Sequence, residues 1–272
     1  NRYVMTYNGE IYNSNKIRNE LTKSRVTINW RGHSDTETLL AGFDAWGIKE
    51  TISRVTGMFA IAVWDKELEQ LTLIRDRLGE KPLYYGWQGS GSNKVFLFGS
   101  ELKALKKHPQ FINDIDRGSL ALYMRYCYVP APHSIYKSIK KVEPGTIVTV
   151  TLQDSEQMTE KYWNALDVIR TGAESTFEGT VAEVTNDLDI ALRKTISQQM
   201  MADVPLGAFL SGGIDSSAVV ALMQAQSSRP IKTFTIGFSE AGYNEAIFAK
   251  LVAGHLGTEH TELYVSSQDA LN

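Results

Sequence analysis

Val204-Pro-Leu-Gly-Ala-Phe-Leu-Ser-Gly-Gly-Ile-Asp-Ser-Ser-Ala-Val-Val220 is the stretch that decides the fold of the second half of this chain. An apolar run, Val204–Leu210, leads into the turn Ser211–Ser217 and then into the helix-prone run that starts at Ala218. Strand, glycine-rich turn, helix start is the order of an anion site. Gly212 and Gly213 let the backbone turn tightly and approach an anion with no Cβ in the way. The start of the helix aims unpaired N–H groups and a positive dipole end at the same spot. Ser211, Ser216 and Ser217 add hydroxyl donors, and Asp215 can hold a divalent cation against phosphates. No Lys follows the glycines, so the loop does not fit the G-x-x-x-x-G-K-[ST] pattern.

Outward from this loop, elements alternate. Val181–Met201 reads as an amphipathic helix with Val184, Leu188, Ala191, Leu192, Thr195 and Ile196 on one face. After the loop and its helix come a strand over Lys232–Phe238, a helix over Asn244–Leu256 and a strand-like Thr261–Val265. That alternation predicts a parallel sheet with crossover helices. Residues 165–180, with Gly, Ser and Thr and weak periodicity, read as a linker.

The first 164 residues differ in character. Thr56–Trp64, Gln70–Arg75, Leu83–Trp87, Val95–Phe98 and Thr146–Thr151 read as short strands. Helices are expected over Asn15–Thr22 and Thr36–Trp46, the second capped by Ser34 or Asp35. Many strands and few helices predict an α+β arrangement of layered sheets covered by helices.

Length and composition agree with two domains. The chain has 272 residues, 43% hydrophobic and 22% charged, enough for two cores of an ordinary globular kind. Its net charge of −3, with no basic stripe, argues against nucleic acid as a partner. No apolar run reaches the roughly 18 residues of a membrane span. One cysteine, Cys127, excludes an intrachain disulfide, and the expected location is the cytoplasm. The five histidines are scattered, and a zinc site is not expected. The chain opens in what reads as mid-strand and stops soon after Val265, so truncation at both ends is expected.

Three further segments complete a pattern: Asn8-Gly-Glu-Ile-Tyr-Asn13, Ser34-Asp-Thr-Glu37 and Arg75-Asp-Arg-Leu-Gly-Glu-Lys81. Taken singly they read as a hairpin turn, a helix cap and a charged turn entering a strand. In this order, upstream of Ser211-Gly-Gly-Ile-Asp-Ser-Ser217, they resemble the glutamine-hydrolysing asparagine synthetases. Ser100–Leu105, Tyr128–Pro132, Pro144-Gly145, Tyr243–Ala246 and Leu256–His260 extend the resemblance over nearly the whole chain.

The resemblance implies a glutaminase of the N-terminal-nucleophile-hydrolase layered sandwich over residues 1–164. It implies, over 181–272, the first part of an α/β parallel-sheet domain that binds an adenine nucleotide. Asn8 and Gly9 resemble the oxyanion hole, and Glu10 and Asp35 the carboxylates that hold the α-amino group of glutamine. Leu210 and Ile236 resemble residues that flank adenosine. Ser211, Gly212, Gly213, Asp215, Ser216 and Ser217 resemble the group that holds pyrophosphate, with Asp215 toward Mg2+. Arg75, Asp76 and Lys81 are expected to be structural.

The implied reaction joins glutamine, ATP and aspartate. Glutamine is hydrolysed through a cysteinyl thioester, aspartate is adenylated, and ammonia displaces AMP. A homodimer is allowed. The family's nucleophile is a cysteine at the mature N-terminus, and no residue here matches it. Cys127 is expected to be a buried, inert thiol, and the chain alone is expected to be inactive. Two other readings stand beside this one. The first is amidation of a sugar carboxylate or another acceptor in surface-polysaccharide synthesis. The second is a degenerate module that only binds nucleotide or glutamine.

Overall fold

The computed structural model describes residues 2–23, 28–151, 157–202, 204–238, 242 and 244–271, and divides into two compact units at Thr176/Phe177. Tyr243 of the segment 243–246 lies outside the described residues.

The first unit runs β1 (Tyr3–Ile11), α1 (Ser14–Lys23), α2 (Asp35–Trp46), α3 (Ile48–Arg54), β2 (Gly57–Asp65), β3 (Gln70–Arg75), β4 (Tyr84–Gln88) and β5 (Val95–Gly99). It continues with α4 (Leu102–Leu105), α5 (Arg117–Tyr126), β6 (Lys140–Lys141), β7 (Thr146–Thr151), β8 (Gln157–Lys161) and α6 (Ala165–Glu174). Two antiparallel sheets form, ordered β1-β2-β3-β7-β8 and β5-β4-β6.

Strand alternation sorts β2 between two cores. Phe59, Ile61 and Val63 join Ile17 and Leu21 of α1, Leu39 and Phe43 of α2, and Ile52 of α3. Ala60 and Ala62 face the other way, against Leu83, Tyr85 and Val148, with Trp87, Phe96 and Phe98 packed around them. The large sheet thus has helices on one face and the second sheet on the other. This is the layered α+β sandwich the strand-rich half implied. It explains why Met58–Trp64 is a continuous apolar run: both of its faces are covered. Small alanines on one side and bulky residues on the other set the spacing of the two layers. Each large side chain sealed in this way contributes about 1.5–3 kcal/mol.

The second unit runs α7 (Val181–Gln199), β9 (Gly207–Phe209), α8 (Ile214–Ala225), β10 (Lys232–Phe238), α9 (Ala246–Leu256), β11 (Glu259–Val265) and α10 (Ser267–Leu271). The strands are parallel in the order β11-β10-β9, as the alternation predicted. Leu210 packs with Val220 of α8 and with Ala249 and Ala253 of α9 on one face of the sheet. On the other face Phe234, Ile236 and Phe238 stay exposed, while Thr233 and Thr235, which alternate with them along β10, are buried.

Residues 165–180 differ from the linker reading, because α6 fills most of them. Asn164 starts that helix by accepting a hydrogen bond from Leu166 N. Its apolar Leu166, Val168 and Ile169 stay exposed, so the helix rests on its cap and not on burial.

Candidate active sites

β1 carries the first candidate site. Asn8 and Gly9 are not the turn that Asn-Gly suggests in isolation; both lie within the strand, opposite Ala60 and Phe59 of β2. The reason is steric. A Cβ on Gly9 would collide with the Met58 carbonyl oxygen, so only glycine allows this approach.

The register then fixes where the backbone groups point. Tyr12 N donates to Thr56 O and Lys66 N to Arg2 O, each a directly opposed pair. Hydrogen-bonded pairs alternate along an antiparallel ladder. Even-numbered residues of β1 therefore bond to β2, and odd-numbered residues turn their N–H groups outward. β1 is the edge of its sheet. Gly9 N–H thus points to the open edge.

Ile11 N–H points the same way, and it donates to Asp35 Oδ2 at 3.0 Å. The Tyr7 hydroxyl donates to the same oxygen at 2.6 Å. Burial and the Asp35 charge hold the Tyr7 phenol well above its ordinary range, so it stays a donor. Asp35 opens α2 next to the Ser34 cap, whose hydroxyl accepts from Thr36 N. The side chain of Asn8 is exposed on the face opposite Tyr7 and donates from Nδ2 to Ser100 Oγ at 3.0 Å. Glu10 is half-buried on the same strand.

Arg75, Asp76 and Lys81 tie strands together. Asp76 is fully buried, and its carboxylate accepts from Phe59 N, Glu80 N and Lys81 N at 2.8–3.1 Å. The Arg75 guanidinium donates to the carbonyls of Lys81, Gly79 and Val142. Every one of these bonds is internal to the unit.

The second candidate site is the turn before α8. Gly212 has φ 79°, and a Cβ there would stand 2.7 Å from Ala249 N and from Phe248 Cβ. Glycine is required twice over, by conformation and by space. No side chain caps α8 at Gly213, whose own N–H donates to Ser211 Oγ at 3.3 Å, so the first N–H groups of the helix have no capping partner. Ser211 and Ser216 hydroxyls lie 2.8 Å apart, and Ser216 Oγ also accepts from Ser211 N. Ser217 Oγ is buried with no partner among the described residues. Asp215 is exposed in the first turn of the helix.

Leu210 and Ile236 are placed differently from each other. The Leu210 side chain is sealed in the core, its N–H donates to Phe234 O and its carbonyl accepts from Thr235 Oγ1. Ile236 is half exposed on β10.

Cys127 corrects an expectation, because it is exposed and not buried. It ends α5 in the left-handed conformation at φ 60°, its N–H bonded to Tyr123 O. Chain reversal and not packing decides its place. Among the described residues no three His, Cys, Asp or Glu side chains gather as a metal site, and no helix is long and apolar enough to cross a membrane.

Residues 1–163 match the family model of the glutamine amidotransferase domain. The chain belongs to the glutamine amidotransferase domain family. Beyond that amidotransferase domain, residues 187–272 match the asparagine synthase model. Asparagine synthetase [glutamine-hydrolyzing] 1 of Bacillus subtilis is 36% identical over 271 residues, covering 99% of this chain and 40% of its own length. A putative asparagine synthetase of Methanocaldococcus jannaschii is 32% identical, over 98% of this chain and 49% of its own. The human asparagine synthetase is 27% identical, over 98% and 45%. The chain therefore spans less than half the length of these relatives.

Two residues that hydrogen-bond the candidate residues Asp35 and Asn8 were given no role by the sequence reading. Ser100 follows the strand that ends at Gly99, and Tyr7 sits one residue before Asn8. Strand alternation signals Tyr7, which must face away from Asn8 and toward the helix layer. Ser100 opens a segment of the resemblance, but nothing local pairs it with Asn8, which lies 92 residues away.

Proposed function

We propose that this chain forms the glutamine-hydrolysing part and the start of the ATP-using part of an enzyme that amidates aspartate to asparagine. The carrying observation is that each unit holds donors with no partner among the described residues, and these support the resemblance. One is Gly9 N–H beside Asn8 on the open edge of β1, and the other is the uncapped start of α8 with the orphaned Ser217 hydroxyl.

In the first site the Asn8 amide and Gly9 N–H stabilise the charge that develops on the carboxamide oxygen of glutamine. Gly9 N–H and Ile11 N–H are two residues apart on one edge, roughly 7 Å at the rise of a strand. An extended glutamine spans that interval. Its ammonium then meets the carboxylate of Asp35, with Glu10 as the second anion. Hydrolysis gives glutamate and ammonia. The cysteine nucleophile of the family has no match in residues 1–272.

In the second site Ser211, Gly212, Gly213, Ser216 and Ser217 cradle the β- and γ-phosphates of ATP, while Ile236 offers an apolar surface to the adenosine. Leu210, sealed in the core, shapes the loop from below. The lone carboxylate of Asp215 suits Mg2+, which is commonly held by one or two carboxylates together with substrate phosphates; bound there, the ion would supply neutralisation of phosphate charge. Aspartate attacks the α-phosphorus, pyrophosphate leaves, and ammonia displaces AMP from the β-aspartyl adenylate to give asparagine. The enzyme acts in the cytoplasm.

Acceptor-dependent ATP–pyrophosphate exchange in the full-length protein tests this reading. Exchange is expected with aspartate and not with uronic acids or without acceptor. Exchange with a uronic acid alone would replace aspartate by a sugar carboxylate, and no exchange with any carboxylate would end the ligase reading.

A further inference from the structure

Resting on the glutamine-site reading above, we propose that Ser100 is a positioning residue that aims the Asn8 amide at the reacting carbonyl. Asn8 stands on an edge strand with its side chain exposed, so packing does not fix its rotamer. The bond from Nδ2 to Ser100 Oγ is the only hydrogen bond of that side chain among the described residues. It joins the two sheets, because Ser100 follows Gly99, which pairs with Tyr84 at the end of β5.

A primary amide nitrogen carries two N–H groups. Ser100 takes one, and the other is then presented in a set direction. Donors fixed before the reaction stabilise developing charge without reorganising. A freed Asn8 would sample several rotamers, and the loss would fall on the transition state more than on bound substrate.

The test uses the full-length protein and glutamine hydrolysis. Ser100→Ala is expected to lower kcat by about tenfold to a hundredfold, the scale of a misplaced catalytic group. KM should stay within about twofold, since ground-state binding is untouched. Ser100→Thr keeps the hydroxyl and should restore kcat, whereas Ser100→Val, of the same shape without the hydroxyl, should stay slow. This pair separates the bond from any failure to fold, which a thermal melt reports directly. In the Asn8→Ala background, Ser100→Ala should cost nothing further, because coupled residues are not additive. Parent-level kcat in Ser100→Ala and Ser100→Val, or losses that multiply in the double variant, would overturn the proposal. A parent protein that hydrolyses no glutamine would instead overturn the site reading, and this inference with it.

Discussion

Thr180 and Gly213 each open a helix, and the chain treats the two openings in opposite ways. At Thr180 the hydroxyl accepts from Glu183 N, and Glu183 Oε2 accepts from Thr180 N at 2.8 Å, a reciprocal box that closes both donors. The bonds that Glu183 Oε2 accepts from Thr180 N and from the Thr180 hydroxyl hold its carboxyl below the usual range. At Gly213 no cap side chain reaches the first N–H groups of the helix, the preceding glycine admits no Cβ, and a serine hydroxyl is buried without a partner among the described residues. The first unit repeats the contrast. Asp76 takes three backbone N–H groups for itself, while Gly9 turns its N–H to an open edge. Closed donors hold the fold together, and open donors lie in glycine-lined backbone.

Changes at open donors should therefore damage chemistry, and changes at closed ones stability. The largest effect is expected at Asp215. In the full-length protein Asp215→Ala should lower ATP–pyrophosphate exchange by roughly a thousandfold or more, since a lost cation ligand costs several kcal/mol. Glutamine hydrolysis, in the other unit, should remain measurable. Equal loss of both reactions would break the separation of the two sites.

Next comes Asn8→Ala, expected to lower glutamine hydrolysis about 10²–10³-fold. Synthesis supplied with ammonium salt should survive. If ammonia-driven synthesis fell as far, Asn8 would be a folding residue and would belong with Asp76.

The smallest effect sharpens the contrast from the other side. Thr180→Ala should reduce stability by about 1 kcal/mol, read from the denaturant midpoint, the usual cost of a lost helix cap. Neither half-reaction should change in kcat. A fall in nucleotide turnover would mean that this closed helix start also serves the site.

Local pattern made most of this legible. The parallel sheet followed from the β/α alternation around Ser211–Ser217, and the layered first unit from its dense short strands. Gly212 was legible because its conformation and its neighbours make the same demand. Other features depended on distant partners. Asn8-Gly9 reads as a turn until the carbonyl of Met58 is set beside it. Cys127 reads as a core thiol, yet the end of α5 leaves it exposed. The helix Ala165–Glu174 rests on a single capping asparagine, too small a signal among Gly, Ser and Thr. Ser100 meets Asn8 only when the two sheets are stacked.

The fate of the glutamine amide nitrogen tests the central claim most directly. Full-length protein given glutamine labelled with 15N at the amide, together with aspartate, ATP and Mg2+, should form asparagine labelled at its side-chain amide. AMP and pyrophosphate should appear in equal amounts. Unlabelled product, or ATP cleaved to ADP and phosphate, would contradict a glutamine-fed, adenylating amidation.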